Sequence, residues 1–239
     1  MNSRWLTLGP AVERLLEQWN AVQEYFFKCI PLKTQNQVNS NSYQKVISIL
    51  KQKTIKAELY FLLSSINIFT KYTNFFQKEE PLIHSVYNHL KELVFTICGR
   101  ICKHDVIKSL KNNMSSLDNP FELESLMPLK DTVFNENLKK ELLSLAEKDR
   151  TVFLHCIQKH FISAGKYLMQ NDNVLNKNLK YARCLHPKGR TEKSTIKDLI
   201  KFASAIPINN INLDLLTDEW TLVQLEDEVK EKPSRADKY

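Results

Sequence analysis

Apolar residues recur at helical spacing along most of the chain. Val12, Leu15, Leu16, Trp19, Val22 and Phe26 share one side of a first segment, with Glu13, Glu17 and Gln18 on the other. Pro10 predicts the start of that helix, because a first-turn residue has no use for the N–H that proline lacks, and Pro31 predicts its end. The polar, Asn- and Gln-rich stretch from Lys33 to Ser42 reads as a loop or flexible linker. A long helical segment is expected from Tyr43 to Gln77, broken near Lys53, with Val46, Ile49, Leu50, Leu59, Leu62, Leu63, Ile66 and Phe69 as its apolar set. The Glu79-Glu80-Pro81 step has the acidic, proline-led character of a helix start. Ile83, Val86, Tyr87, Leu90, Leu93, Val94, Ile97 and Ile101 then form the most regular stripe in the sequence.

The pattern weakens between about Asn112 and Thr132. Ser115-Ser116, Asn119-Pro120 and Pro128 punctuate it, which predicts a long loop with one short turn. Helical spacing resumes over Asn135 to Lys148 and Asp149 to Gln170, the second segment packing Val152, Cys156, Ile157, His160, Phe161, Ala164 and Leu168. A shorter helix is expected from Val174 to Arg183, stopping before His186-Pro187, and another from Thr195 to Ala205, ended by Ile206-Pro207. The last covers Asp214 to Leu225. No stretch alternates persuasively with period two. The expected fold is all-α, an irregular multi-helix bundle. Its N-terminal helical part is 1–112, followed by a loop or linker at 113–132 and a C-terminal helical part at 133–225. A charged tail at 226–239 is expected to be disordered.

Composition narrows the class. Of 239 residues, 43% are apolar and 26% charged, the balance of a soluble globular protein. No run reaches the roughly 18 apolar residues of a membrane span, and no signal-peptide apolar region opens the chain, so no membrane is expected as a partner. Four glycines argue against Gly-rich phosphate loops. Cys29, Cys98, Cys102, Cys156 and Cys184 are odd in number and widely spread, which predicts free, mostly buried thiols in a reducing, intracellular setting. The net charge of +7 is uneven: residues 1–117 hold 15 basic and 8 acidic side chains, 118–210 hold 15 and 11, and 211–239 hold 4 and 8. A basic body with an acidic end fits contact with polyanions.

Complete catalytic motifs are missing from the pattern. Cys98, Cys102 and His104 lie close together, and Cys156 stands four before His160, a spacing zinc could use. Both sets continue apolar helical stripes, so core packing is the expected role and no metal or other cofactor is assigned. Carboxylate pairs such as Glu79-Glu80 and Asp218-Glu219 sit at helix starts or on solvated faces. The turn His186-Pro187-Lys188-Gly189-Arg190 offers Lys188 and Arg190 to phosphate, with a simple solvated loop as the alternative. Arg4-Trp5 pairs a cation with a large aromatic ring, a combination that can stack on a base and hold its phosphate. The other reading keeps Trp5 as a core anchor and Arg4 in solvent.

The run Arg4-Trp5-Leu6-Thr7-Leu8, then Ala11-Val12-Glu13-Arg14-Leu15-Leu16-Glu17-Gln18-Trp19 and Tyr25-Phe26, closely resembles the segment after the second catalytic aspartate of hAT-superfamily transposases. Phe69, Phe76-Gln77, Glu79-Glu80-Pro81-Leu82-Ile83-His84, Tyr87 and Leu90 agree with the same pattern in order and spacing. Tyr167-Leu168, Leu185-His186-Pro187 and Asp218-Glu219-Trp220 resemble it more loosely. The resemblance implies the helical insertion of such a transposase, without the RNase H-like core that carries the Asp-Asp-Glu metal site and without the C-terminal dimerisation segment. The catalytic carboxylates would lie before Arg4 and beyond Val229. It also implies a base-stacking role for the tryptophan of the Arg4-Trp5 pair. The expected function is therefore a non-catalytic, nuclear, transposase-derived protein that makes non-specific, salt-dependent contact with DNA through Arg4, Trp5, Lys188 and Arg190. The alternative is a helical scaffold for nuclear proteins with no nucleic-acid role, and a cytoplasmic location is the alternative to a nuclear one.

Overall fold

Helix follows helix through the chain, and the all-α expectation holds: eleven α-helices and no strand occur among the described residues. The computed structural model describes residues 4–33, 38–112, 120–170, 177–186, 195–207 and 210–225, excluding the side chains of 4–6, 33 and 177. The charged tail expected to be disordered, 226–239, lies outside the described residues. The helices are α1 (Arg4–Glu17), α2 (Trp19–Glu24), α3 (Ile30–Lys33), α4 (Asn41–Leu50), α5 (Ile55–Phe76), α6 (Ile83–Ile101), α7 (His104–Asn112), α8 (Glu136–Ser144), α9 (Glu147–Gln170), α10 (Thr195–Ala205) and α11 (Leu213–Leu225). None of them is long and apolar enough to cross a membrane.

Contacts group these helices into two compact units, Met1–Gln77 with Leu93–Leu168, and Lys78–Glu92 with Met169–Tyr239. This differs from the linear division at 113–132. From Pro120 onward the expected linker is core: Pro120, Phe121, Leu126 and Thr132 are all buried in the first unit.

Both prolines expected to bound the first helix lie inside helical structure. Pro10 is within α1, at the cost of the bond its N–H would have given. Next to it Gly9 is buried, and a Cβ there would stand 3.3 Å from Ile66 Cγ2, so α1 and α5 approach closely. At Pro31 the chain passes through a π turn, Tyr25–Cys29, in which the Ile30 N–H bonds the Tyr25 carbonyl. Pro31 has no N–H for the next carbonyl, Phe26, and the Tyr43 hydroxyl donates to it instead at 2.8 Å. The Tyr43 and Phe26 rings stack at 6.3 Å, and Ile30 and Ile47 close this small cluster. The stretch expected as a loop to Ser42 already ends at Ser40, whose Oγ accepts from the Tyr43 N–H and caps α4.

The centre of the first unit is the C-terminal half of α6, where Val94, Ile97, Cys98, Ile101 and then Cys102 are fully buried. The last carbonyls of a helix have no partner within it, and the segment 125–133 supplies donors to those of α6. Met127 N–H bonds the Ile101 carbonyl and Val133 N–H the Arg100 carbonyl, while Lys103 N–H returns to Ser125. Leu138 and Leu142 of α8 are buried, the helix starting on the Asn135 cap and held to α5 by the 2.7 Å Lys56–Glu141 ion pair.

Helix α9 buries Phe153, Ile157, Phe161 and Gly165. Val152 and Cys156, expected inside, are exposed. Successive residues are about 100° apart around a helix, so a stripe stepping by four from 153 leaves 152 and 156 well off its axis. Phe61 meets Phe153 and Phe161 edge-on at 6.2 and 5.8 Å.

In the second unit the 3-10 helix Lys177–Leu185 packs on α10, burying Ala182 and Cys184 with Leu199 and Ala203. Thr195 Oγ1, at the start of α10, accepts from Trp220 Nε1 at 3.2 Å and Gln224 Nε2 at 2.9 Å, which ties α11 to it.

The tightest steric constraint is at Gly165. A Cβ there would lie 2.1 Å from Cζ of the buried Phe121 ring. Gly165→Ala therefore destabilises the protein, by about 1–3 kcal/mol after its gain in helix propensity, as read by urea denaturation. An unchanged midpoint would show that the ring moves aside freely.

Candidate functional site

Arg4 and Trp5 lie in the first turn of α1, with side chains outside the described residues, and Lys188 and Arg190 fall wholly outside them. What the fold does bring together is the pair of motifs on either side of the second unit's sequence gap. His84, from the Glu79–His84 run, and His186, beside Pro187, meet edge-to-face with ring centroids 4.7 Å apart. Burial, and then the charge of His186, lower the pKa of His84.

A shallow recess of about 500 Å3 opens on α10 and the preceding 3-10 helix, lined by Asn178, Tyr181, Ile200, Lys201, Ser204 and Ala205. Lys201 Nζ stands 5.0 Å from the centroid of the Tyr181 ring, within cation–π range. Lys197, one turn before Lys201 on α10, and Lys180, next to Tyr181, are both exposed. Arg183 is directed elsewhere, to Asp198 at 2.7 Å. The recess thus combines an aromatic ring, amide and hydroxyl groups and the Lys201 ammonium, which can hold a phosphate and present a ring to a base. Its sequence signal was the run Lys177-Asn178-Leu179-Lys180-Tyr181, basic residues around an aromatic, together with lysines four apart at 197 and 201.

The cysteines divide by environment. All five are free; Cys98, Cys102 and Cys184 are buried, Cys29 is half-buried and Cys156 is exposed. Cys98 has its pKa raised by its hydrogen bond with Cys102 and by burial, and Cys102 Sγ donates to the Pro120 carbonyl at 3.4 Å. The pair occupies the core of the first unit, as its place in the apolar stripe predicts. Cys184 is raised by burial and by Asp198. No three His, Cys, Asp or Glu side chains come together to hold a metal among the described residues.

Comparison with protein-family models, with curated proteins and with solved structures finds no match to this chain.

Two expectations follow from these environments. A thiol reagent applied to the native protein modifies Cys156 first, whereas Cys98, Cys102 and Cys184 react only as the protein unfolds. Mass spectrometry of partially labelled protein reads the order, and early labelling of Cys98 would contradict it. His84 takes up a proton less readily in the fold than in the unfolded chain, where its pKa is about 6.5. Stability is therefore present above about pH 6.5 and lost as pH falls below it. The Tm drop between pH 7.5 and 5.5 becomes smaller in His84→Gln, and an equal drop would remove His84 from the effect.

Proposed function

We propose that this chain is a non-catalytic, transposase-derived helical protein that acts in the nucleus and contacts DNA through a basic surface. The observation that carries the reading is the Tyr181–Lys201 recess, flanked by Lys180 and Lys197. Support also comes from the net charge of +7 and from the resemblance of the Arg4–Trp19 and Phe76–Leu90 segments to hAT transposases. Such a surface attracts the phosphate backbone by counterion release and holds unpaired bases by stacking, with no base-edge readout.

Fluorescence anisotropy with a single-stranded oligonucleotide at 50 and 200 mM salt tests this. Affinity falls steeply as salt rises, and Lys201→Ala reduces the slope of log K against log[salt] by about one contact's share, roughly 0.7. Tyr181→Ala weakens binding roughly 5- to 100-fold, the worth of one stacked base. Trp5→Ala lowers affinity for a hairpin with a flipped-out base. Binding that is absent at low salt, or indifferent to both recess variants, would overturn the reading.

A second reading, a scaffold for nuclear proteins, rests on α11. Leu215, Leu222 and Leu225 there are 54%, 66% and 77% exposed, and the first two stand seven apart on one face. Partners recovered after nuclease treatment, and lost with Leu222→Glu, would favour it.

A further inference from the structure

Within the first unit, one face of α5 carries a pocket of about 400 Å3, inside the range of roughly 300–1,000 Å3 usual for small-molecule sites. Leu62, Ile66 and Phe69 recur at helical spacing along it, and His160 of α9 stands at its edge. The walls are largely apolar, with Ser65, Thr70 and Thr73 as polar breaks, the Thr73 hydroxyl being turned back to the Phe69 carbonyl at 3.0 Å. Ser65 is the unusual member. It is 5% exposed, and its hydroxyl is buried without a hydrogen-bond partner in the protein.

A helical serine ordinarily turns its hydroxyl back to the carbonyl four residues earlier or out to water. An orphaned buried hydroxyl is costly, so a group that completes its bond on arrival gains what the empty protein lacks. Serine χ1 has three staggered wells, and a change among them is all the side chain needs to meet such a group.

The lining residues also decide the charge of the occupant. None carries a permanent charge. The ring of His160 packs edge-to-face with Phe61 at 5.2 Å and lies beside Phe161 at 5.4 Å, and burial lowers its pKa. A neutral imidazole offers one donor and one acceptor but no counter-charge. An ionic ligand would lose its hydration here with nothing to replace it. An apolar body with a single polar group loses little and gains both the walls and the hydroxyl.

We propose that this face of α5 binds an uncharged, largely apolar small molecule bearing one hydroxyl or carbonyl group, seated against Ser65 with His160 at its edge.

The test uses the full chain and Nile red, an uncharged apolar dye, followed by displacement with 1-octanol and with octanoate. Dye fluorescence is expected to saturate at one site per chain, with octanol displacing at least tenfold better than octanoate near pH 7.5. Thr70→Trp, which puts a large ring into the space, abolishes dye binding. Ser65→Ala removes the orphaned hydroxyl, so it raises Tm while weakening octanol roughly two- to tenfold. Dye binding that does not saturate, equal displacement by octanoate, or octanol affinity unchanged in Ser65→Ala would each overturn the proposal.

Discussion

The first unit depends on how one buried helix end is satisfied. The last turn of α6 buries Cys98 and Ile101, and the carbonyls of Arg100 and Ile101, which have no partner within the helix, find donors elsewhere in the protein. The backbone of 125–133 provides them through Val133 and Met127, and the Arg100 guanidinium returns a bond to the Val133 carbonyl at 3.1 Å. Once that strap is in place, Phe121 is committed to the interior, and α9 must present a residue without a side chain where the ring lies. Gly165 meets that demand. A hydrogen-bonding requirement at one helix thus sets a steric requirement at another.

The second unit uses a smaller device to similar effect. Thr195 has one hydroxyl oxygen with room for two donors, and Trp220 and Gln224, four apart on α11, both reach it. The same helix α10 turns its lysines outward on another side, to the Tyr181 recess. A helix anchored through its first residue can therefore hold Lys201 over an aromatic ring at a defined distance, the arrangement on which the nucleic-acid reading rests. The leucines left in solvent on α11 belong to the competing reading, in which protein is the partner.

The α5 pocket and the Tyr181 recess differ in the physics they offer. One is largely apolar, without charge, and holds an unpaired hydroxyl; the other is open and bears the Lys201 ammonium. Each lies within a single unit, so each can be probed by substitutions that leave the other untouched.

Helical identity was legible in the amino-acid sequence because it is local. The stripe from Leu93 to Ile101, the helix at Thr195–Ala205 and the start of α8 near Asn135 all follow from spacing and capping within a few residues. The break between α4 and α5 near Lys53 was legible for the same reason. Burial was less so: periodicity could not choose between Val152 and Phe153, or between Cys156 and Ile157, because each pair is apolar and only the partner helices decide which faces inward. The prolines at 10 and 31 read as boundaries, yet tertiary contacts outweigh a missing N–H, and Tyr43 supplies the donor Pro31 lacks. The segment after Pro120 read as a linker because its punctuation is that of a loop, whereas its backbone donors are required by a helix end some twenty residues earlier. Lysines and an aromatic near residue 180 are visible in the chain, but their meeting with Lys201 is not. Spacing along the chain determines what each segment can become; which groups face one another depends on donors, volumes and charges that only the folded chain brings into contact.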